Sequence, residues 1–598
     1  MSDKWDLRFI YPSEALFEAD LKKFKEVIVP DMASYKGKLG DEASFVSFLN
    51  LEKESQKILA KLFLYSGCAS DLNKKDVAGN ERESRVQLAA QDFGEKLAFS
   101  DPEFLALGKE KIDLFLKKHP ELKEFDYSFE KLFLDQSHIL SADKEQLLSA
   151  FSPLQEEGSQ LYSMLSVGDY VPKKAHLHDG KEVEVSQSNW TSLIAGTKDA
   201  GDRQAIFEAL YAYYDEHKNV YAEIYNNAVQ AELAEMKARG YSSMLEEHLF
   251  HNKIPTSVFL NLVEVASTNA KPLHDYYALR TKYLGLTKHR SYDRFLQLAH
   301  STKKYTYEEA KALFFDSIKA FPADFQAKAH TVLEEGYVDV YPALGKRSGA
   351  YSNGGYQDGK EKIHPVILFN FQGELDDCFT VAHESGHSIH TLYAMESQPL
   401  MKQEYTIFTA EIASTFNEHN LLDYLLRSGT LDRETKIALL QKAIDEIMGT
   451  FYRQTLFAQY EYEIAKKVEG GEPLSYQVLC DEMTSLYKTY YGIDITEEKL
   501  KPFVWAYIPH LFYTPFYVYQ YATSFTASML LYENVKEKKP QAFERYVGLL
   551  KSGGSTFPID EVKAAGVDLT SKAPFLSVVK RMEELVEELR KTLESDVK

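Results

Sequence analysis

Residues 375–392 have the sequence LDDCFTVAHESGHSIHTL, in which two histidines, His383 and His387, stand four positions apart. Apolar residues recur through the stretch and two aspartates stand near its start, which predicts a buried helix over 375–396. Four residues are about one helical turn, so both imidazoles face the same side and can share one Zn²⁺ ion. Glu384 then points toward the open coordination position, where a carboxylate can take a proton from water.

A zinc site of this kind needs a third protein ligand, and the next predicted helix, over 405–425, offers two acidic candidates. Glu411 and Glu418 are seven residues apart, so two helical turns place them on one face. Burying a carboxylate among the apolar residues around Glu411 is costly unless the group is paired or bound to a metal. The sequence therefore predicts that this segment completes the site.

His390 offers a third imidazole within the first helix itself. On a straight helix it lies about 10.5 Å from His383 along the axis, at 1.5 Å per residue, which is too far for both to bind one tetrahedral ion. We therefore expect His390 to face the substrate or, like Glu418, to support the ligands or replace one of them.

Helical periodicity dominates the rest of the chain, which predicts a mainly α protein, and two regions interrupt it. Around 178–181, a turn sequence flanked by Tyr170-Val171 and by residues 183–185 predicts a β-hairpin. The glycine-rich region 337–373 predicts loops, with a strand at 365–371 directly ahead of the zinc helix. An exposed strand edge at that place is able to hydrogen-bond an extended peptide.

We expect three regions along the chain. A helical region covers 1–110, a helical segment with the hairpin covers 111–195, and the catalytic region covers 196–598. At 598 residues with 44% hydrophobic residues, the chain has ample material for more than one core.

Composition and charge exclude several classes of protein. The net charge of −21 argues against nucleic-acid binding, because phosphate contacts need a basic surface. The longest apolar stretch, 503–532, is interrupted by a histidine and two prolines, so we expect no membrane span. The first residues lack a basic and apolar signal sequence, and three widely spread cysteines do not suggest disulfides. These features predict a cytoplasmic protein.

Several sequence blocks, in the right order, resemble the oligoendopeptidase F family of zinc metallopeptidases, relatives of thimet oligopeptidase. The blocks are GKRSGAYS at 345–352, HESGHSIH at 383–390, FTAEIASTFNE at 408–418, RQTLFA at 453–458 and HLFYTPFYVYQYA at 510–522. Residues 1–110 match this family in length and helical character alone. Several ordered blocks are far more specific than the five-residue motif.

The resemblance implies a large multi-helix zinc peptidase with a deep substrate cleft and a small β-element next to the HExxH helix. It implies that His383, His387 and Glu411 bind one zinc ion per chain and that Glu384 is the general base. It also implies that His510 and two tyrosines of the block 510–521 stabilise the transition state. Tyr513, Tyr517 and Tyr519 compete for the two tyrosine roles. We rank Tyr517 and Tyr519 as the catalytic residues and Tyr513 as a substrate contact. Taken alone, this aromatic block is equally well explained as core packing.

We therefore expect an endopeptidase that hydrolyses internal bonds of short oligopeptides. One alternative is a helical zinc carboxypeptidase, since such enzymes also carry the motif. A second is a non-catalytic peptide-binding protein in which the motif is accidental or catalytically dead. A metal assay and the position of cleavage distinguish these three classes. The sequence leaves the oligomeric state unknown.

Overall fold

The structure, a computed structural model, describes residues 3–155, 157–299, 303–429 and 431–595. In chain order its α-helices are α1 (Glu14–Lys23), α2 (Val29–Ala33), α3 (Glu42–Leu72), α4 (Val77–Leu97), α5 (Ser100–Leu107), α6 (Lys109–Lys118), α7 (Asp126–Asp135), α8 (Ala142–Gln155), α9 (Glu157–Ser163), α10 (Trp190–Gly196), α11 (Ala200–Glu216), α12 (Lys218–Arg239), α13 (Met244–Phe250), α14 (Thr256–Thr268), α15 (Lys271–Tyr283), α16 (Tyr307–Ser317), α17 (Ala323–Val332), α18 (Leu375–Ser397), α19 (Ile407–Arg427), α20 (Arg433–Glu446), α21 (Arg453–Glu469), α22 (Tyr476–Tyr491), α23 (Val504–Tyr507), α24 (His510–Tyr513), α25 (Tyr519–Lys536), α26 (Ala542–Ser552), α27 (Pro558–Ala564) and α28 (Ala573–Glu594). The strands are β1 (Lys173–His176), β2 (Glu182–Val185), β3 (Val338–Asp339), β4 (Tyr351–Asn353), β5 (Tyr356–Asp358), β6 (Glu361–Ile363) and β7 (Val366–Leu368).

The predicted mainly α fold class is confirmed. Within the described residues the strands form three small sheets, which are the pair β1-β2, the three-stranded sheet β3-β7-β4 and the pair β5-β6. No helix in this part of the chain combines the length and the apolar character that crossing a membrane requires.

The chain forms two compact units, each assembled from three chain segments. Unit 1 takes in Met1–Ser137, Thr302–Arg427 and Leu531–Val567, and unit 2 takes in His138–Ser301, Ser428–Leu530 and Asp568–Lys598. The division of the sequence at residues 110 and 195 stays a prediction, because these units describe spatial compactness rather than regions along the chain.

In unit 1, the N-terminal helices and the small sheets share one hydrophobic core. The long helix α3 begins after Asp41, whose carboxylate accepts the backbone N–H of Ser44 at 2.9 Å. The indole of Trp5, near the start of the chain, donates to the carbonyl of Ile367 in β7 at 2.9 Å. This bond ties Trp5 to the sheet that precedes α18.

The helix predicted over 375–396 is confirmed as α18, and α19 follows it. A capping box starts α18, in which the carboxylate of Asp377 accepts the backbone N–H of Glu374 at 2.8 Å. The two helices pack closely at Gly386, where a Cβ atom would lie 2.5 Å from the carbonyl oxygen of Ala413. Since no side chain fits there, glycine allows α18 and α19 to approach and brings their polar residues together.

The strand predicted at 365–371 is observed as the shorter β7. It lies at the centre of its sheet, parallel to β3 and antiparallel to β4, with Ser352 opposite Ile367. The strand β4 forms one edge of this sheet, and the hydroxyl groups of Ser352 and Ser388 are 2.7 Å apart. This contact holds the sheet edge against α18.

The predicted hairpin is confirmed in unit 2, but its first strand is β1 rather than Tyr170-Val171. Lys173 pairs with Val185 and His176 with Glu182, and Gly180 takes a positive φ of 85° in the turn. Proline at position 172 has no N–H to give to the ladder, so regular pairing starts only after it.

Candidate metal centre

Three candidate ligand atoms converge in unit 1. The Nε2 atoms of His383 and His387 are 3.2 Å apart, and Oε2 of Glu411 lies 3.5 Å from the first and 3.7 Å from the second. For ligands at 2.0–2.1 Å from a tetrahedral zinc ion, geometry requires separations of about 3.3–3.4 Å. The observed triangle therefore fits a zinc ion closely, and the donor set of two imidazoles and one carboxylate suits that metal.

Each histidine has a second partner that orients its ring. Nδ1 of His383 lies 2.6 Å from Oε1 of Glu418, and the ring of His387 hydrogen-bonds the backbone carbonyl of Ala410. A hydrogen bond on one nitrogen fixes which nitrogen faces the metal and makes the ring a better ligand. Glu418 therefore contacts the ring nitrogen of His383 that faces away from the candidate ligand triangle, while Oε2 of Glu411 belongs to that triangle.

Burial and nearby charge change the pKa values of the two histidines in opposite directions. Burial lowers the pKa of His383, but the hydrogen bond and charge of Glu418 outweigh it and raise that pKa to about 9. Burial lowers the pKa of His387, and the neighbouring His383 adds to this effect. A metal competes with protons for such nitrogens, so metal binding releases protons from the site.

Glu384 lies next to the ligands without joining their triangle. Its side chain is 6% exposed, and its carboxylate accepts the backbone N–H of Ser352 in β4. Burial raises the pKa of Glu384 to about 7. The charge of His383 lowers this pKa, whereas the charges of Glu411 and Glu418 raise it. The structure thus holds a carboxyl group with a pKa near neutrality beside the candidate metal ligands.

A cleft of about 900 Å³ opens onto these side chains, entirely within unit 1. His383, Glu384, His387 and Glu411 lie in its wall. The rest of the lining comes from Thr391 of α18 and from three stretches, namely residues 56–64 of α3, residues 350–356 around β4, and residues 400–410 ahead of and within α19. The cleft is therefore bounded by a sheet edge on one side and by helices on the others.

His390 lies behind the ligands. It is 1% exposed, and its ring stacks on Tyr405 with the ring centres 3.6 Å apart. The hydroxyl of Tyr405 donates to the backbone carbonyl of His387 at 3.3 Å. This arrangement favours a supporting role for His390 over contact with a substrate, since the residue is absent from the lining of the cleft.

The C-terminal candidates lie in unit 2, where three rings form a cluster. The ring of His510 is parallel to that of Tyr517, with centres 6.3 Å apart, and Tyr521 lies 6.2 Å from His510 and 5.5 Å from Tyr517. Burial and the charge of Arg453 lower the pKa of His510. Tyr521 is a residue that the sequence reasoning did not select.

The two other tyrosines of this block have different surroundings. Tyr519 is 2% exposed and packs against Phe259, with ring centres 5.6 Å apart. Tyr513 is 45% exposed and makes an edge contact with Tyr162. Because residues two apart on a helix face nearly opposite sides, Tyr519 points into the interior of unit 2 and Tyr521 does not.

Comparison with known proteins finds relatives over the whole chain. A family model described as Peptidase family M3 matches residues 193–581, and one described as Oligopeptidase F matches residues 103–171. Oligopeptidase PepF of Bacillus subtilis (strain 168) is 33% identical over 594 residues, which are 99% of this chain and 87% of the relative. An oligoendopeptidase F homolog of Lactococcus lactis subsp. lactis (strain IL1403) is 32% identical over 596 residues, with coverage of 99% and 98%.

A solved structure supports the same similarity. The crystal structure of oligoendopeptidase-F from Enterococcus faecium has a TM-score of 0.75 and 26% sequence identity, and it covers 98% of this chain and 100% of its own. The full-length matches extend the resemblance to residues 1–110, for which the sequence motifs indicate similarity in length and helical character alone.

Proposed function

Because the chain belongs to peptidase family M3, within its oligoendopeptidase F branch, it is a metalloendopeptidase, and we propose that it is a zinc enzyme. We further propose that it hydrolyses internal peptide bonds of short oligopeptides. The observation that carries this proposal is the triangle of His383, His387 and Glu411, whose ligand atoms are 3.2–3.7 Å apart, with Glu384 beside it.

In this proposal His383, His387 and Glu411 hold the ion. Zinc, when bound, supplies the Lewis acidity that activates water and polarises the carbonyl group of the scissile bond. Glu418 keeps the Nε2 atom of His383 directed at the ion by accepting from Nδ1 at 2.6 Å. The histidines must be neutral to bind, so proton release accompanies loading of the site.

Glu384 moves the proton. Its carboxylate takes a proton from the attacking water and then delivers it to the leaving nitrogen, which completes hydrolysis of the amide bond. A carboxylate in this role needs a pKa near neutrality, and burial in the wall of the cleft raises that of Glu384 to about 7. The backbone N–H of Ser352 holds the carboxylate in place between these two steps.

The strand β4 supplies a binding edge for an extended substrate. Ser352 gives its N–H to Glu384, so in the antiparallel pairing with β7 its backbone groups face away from that partner strand. Its carbonyl oxygen is therefore on the free edge of the sheet, where a peptide N–H can donate to it. Main-chain recognition of this kind binds peptides in extended form and tolerates different side chains.

His510 and a neighbouring tyrosine are proposed to donate hydrogen bonds to the carbonyl oxygen as negative charge develops on it. The family resemblance assigns this role to the block 510–521. The ring cluster in unit 2 supports Tyr517 and adds Tyr521, whereas the buried position of Tyr519 against Phe259 weakens its assignment.

The test is Glu384→Gln, which keeps the shape of the side chain and removes the base. Zinc content is expected to stay at one ion per chain while kcat falls by at least about 10²–10⁴-fold, the range for loss of general acid–base catalysis. Glu396→Gln, the same change farther along α18 in an ion pair with Lys328, is the control and should keep kcat. Retained activity with retained zinc in Glu384→Gln would remove Glu384 from the mechanism.

Peptide cleavage products separate this proposal from its alternatives. An endopeptidase cuts internally quenched peptides with blocked ends, whereas a carboxypeptidase needs a free C-terminal carboxylate. Peptides of 5 to 20 residues should be cut efficiently and a folded protein should not be, since the substrate has to lie extended along β4 in the cleft. Efficient cleavage of a folded protein would contradict the restriction to oligopeptides.

A further inference from the structure

The chain between α24 and α25 makes one tight turn, Thr514-Pro515-Phe516-Tyr517, in unit 2. The N–H of Tyr517 donates to the carbonyl oxygen of Thr514 at 3.3 Å, and Phe516 has a φ of +53°. A proline in the second position, a positive φ in the third and this hydrogen bond describe a type II turn. The turn leads directly into Tyr517, whose ring lies parallel to that of His510.

Phenylalanine is an unfavourable residue at the third position of such a turn. A positive φ brings Cβ against the backbone, so glycine or asparagine is normally found there. A type I turn would give Phe516 an ordinary negative φ and would also accept Pro515 in the second position. Some other contact must therefore select the strained form.

The contact is made by Glu461 of α21. Its Oε1 atom accepts the backbone N–H of Phe516 at 2.9 Å, and both residues are buried. Types I and II differ mainly by a flip of the peptide unit between the second and third residues, so the direction of the N–H of Phe516 distinguishes them. An acceptor fixed on that N–H holds the peptide unit in the type II orientation.

The ring of Phe516 does not provide the same selection. It stacks on His248 with centres 5.0 Å apart and lies 6.1 Å from Phe259, which holds the side chain in the interior. Apolar packing is not directional, whereas a hydrogen bond to one N–H specifies the orientation of the peptide plane. The buried carboxyl group is thus the directional element of the turn.

We propose that Glu461 is a positioning residue for catalysis, which holds the turn at Phe516 so that the phenol of Tyr517 is kept beside His510. The inference rests on the proposed role of Tyr517 in stabilising the transition state. Glu461 itself acts only through the backbone of Phe516.

Three substitutions of Glu461 test whether the position of its hydrogen-bond acceptor or its ability to carry a charge is important. Glu461→Gln keeps a carbonyl oxygen at the same distance, Glu461→Leu removes the acceptor at similar size, and Glu461→Asp keeps the carboxyl group but withdraws it by one methylene. Positioning through the hydrogen bond predicts that Gln retains kcat and that Leu and Asp lose about tenfold, or about 1.4 kcal/mol of barrier, with KM and zinc content unchanged. If Glu461 instead acted as an acid that gains and loses a proton, Glu461→Asp would have a higher kcat than Glu461→Gln.

The matched control is Glu561→Leu. Glu561 is also a buried glutamate, 4% exposed, but it lies in α27 of unit 1, so its loss tests the general effect of deleting a buried carboxyl group. It should keep kcat even if it lowers Tm. If Glu461→Leu does not fold, Glu461→Asp makes the same distinction with a polar side chain.

A double-mutant cycle with Tyr517→Phe decides whether Glu461 acts through Tyr517. The double variant Glu461→Leu/Tyr517→Phe should be no slower than Tyr517→Phe alone, because the phenol is already missing. Reduced kcat in Tyr517→Phe together with wild-type kcat in Glu461→Leu overturns the positioning role and leaves the proposed function intact. Effects that multiply in the double variant also overturn it. Wild-type kcat in Tyr517→Phe refutes the proposed role of Tyr517, and the positioning role with it.

Discussion

Replacing Gly386 with alanine should weaken zinc binding although Gly386 touches no metal. The new Cβ atom would lie 2.5 Å from the carbonyl oxygen of Ala413 and 2.7 Å from Cα of Ser414. Both are backbone atoms of α19, so no side-chain rotation relieves the overlap. Because real Cβ contacts are essentially never shorter than 3.0 Å and are ordinary only from 3.4 Å, α19 has to retreat by about 0.5–0.9 Å.

That displacement is large compared with the tolerances of the site. Glu411 and Glu418 both belong to α19, and a retreat of this size would stretch the 2.6 Å contact between His383 and Glu418 beyond 3.0 Å. The 3.5 Å separation between Nε2 of His383 and Oε2 of Glu411 would grow to about 4 Å or more, whereas two ligands of one zinc ion are about 3.3–3.4 Å apart. We expect zinc affinity to fall about 10–100-fold, the usual cost of losing a supporting hydrogen bond, and overpacking to cost about 1–3 kcal/mol of stability.

The assay is a zinc titration against a competing chelator, with Tm measured in the zinc-loaded and chelator-treated protein. Gly548→Ala in α26 is the matched control, because nothing lies within 4 Å of the Cβ position there. Alanine at that helical position should leave zinc affinity unchanged and stabilise unit 1 by about 0.5–1 kcal/mol. Wild-type zinc affinity in Gly386→Ala would refute the argument that the close packing of α18 on α19 sets the ligand geometry.

Three further outcomes are expected. Glu418→Ala should bind zinc about 10–100-fold more weakly, since Nδ1 of its partner histidine loses its acceptor, and unchanged affinity in a chelator competition would contradict this. Tyr521→Phe should lower kcat on a quenched peptide, by up to about 10²–10³-fold if its hydroxyl is a direct donor, whereas Tyr519→Phe should keep the wild-type kcat. A lower kcat in Tyr519→Phe than in Tyr521→Phe would restore Tyr519 to the site. Burial raises the pKa of Glu561 from 4.5 to about 8 in the folded protein. The favourable contribution of this group to the free energy of unfolding is therefore complete below pH 4.5 and is lost as the pH rises through 8. Glu561→Gln should therefore raise Tm near pH 9 and change it little near pH 4.5, and a pH-independent difference in Tm would disprove this.

The helix α18 and its histidine pair were predictable because every signal for them is local. The apolar spacing, the acidic residues at the helix start and the four-residue separation of His383 and His387 all lie within one segment of about 20 residues. Helical geometry alone then brings the two Nε2 atoms together, at 3.2 Å in the structure. No knowledge of the tertiary fold is needed for that step.

The different positions of Glu411 and Glu418 were not predictable from spacing. Both lie on one face of α19, as seven residues imply, and both reach His383. Which of them faces Nε2 and which faces Nδ1 depends on how α19 lies along α18, and that depends on the close contact at Gly386. The sequence shows a glycine inside the motif, but only the packed structure shows that α19 occupies the space it leaves.

The tyrosines of the C-terminal block show how one backbone angle can decide a functional assignment. The family resemblance ranks Tyr517 and Tyr519, which are two positions apart, above Tyr513 for the catalytic roles. The turn at Phe516 leads into α25, whose first residue is Tyr519, so Tyr519 and Tyr521 face nearly opposite sides of this helix. The ring of Tyr517 lies 5.5 Å from that of Tyr521, whereas Tyr519 packs against Phe259 in the interior. The local sequence does not indicate this turn, because phenylalanine stands where glycine is expected. Glu461, whose carboxyl group accepts the hydrogen bond that selects the turn, lies 55 residues away in sequence.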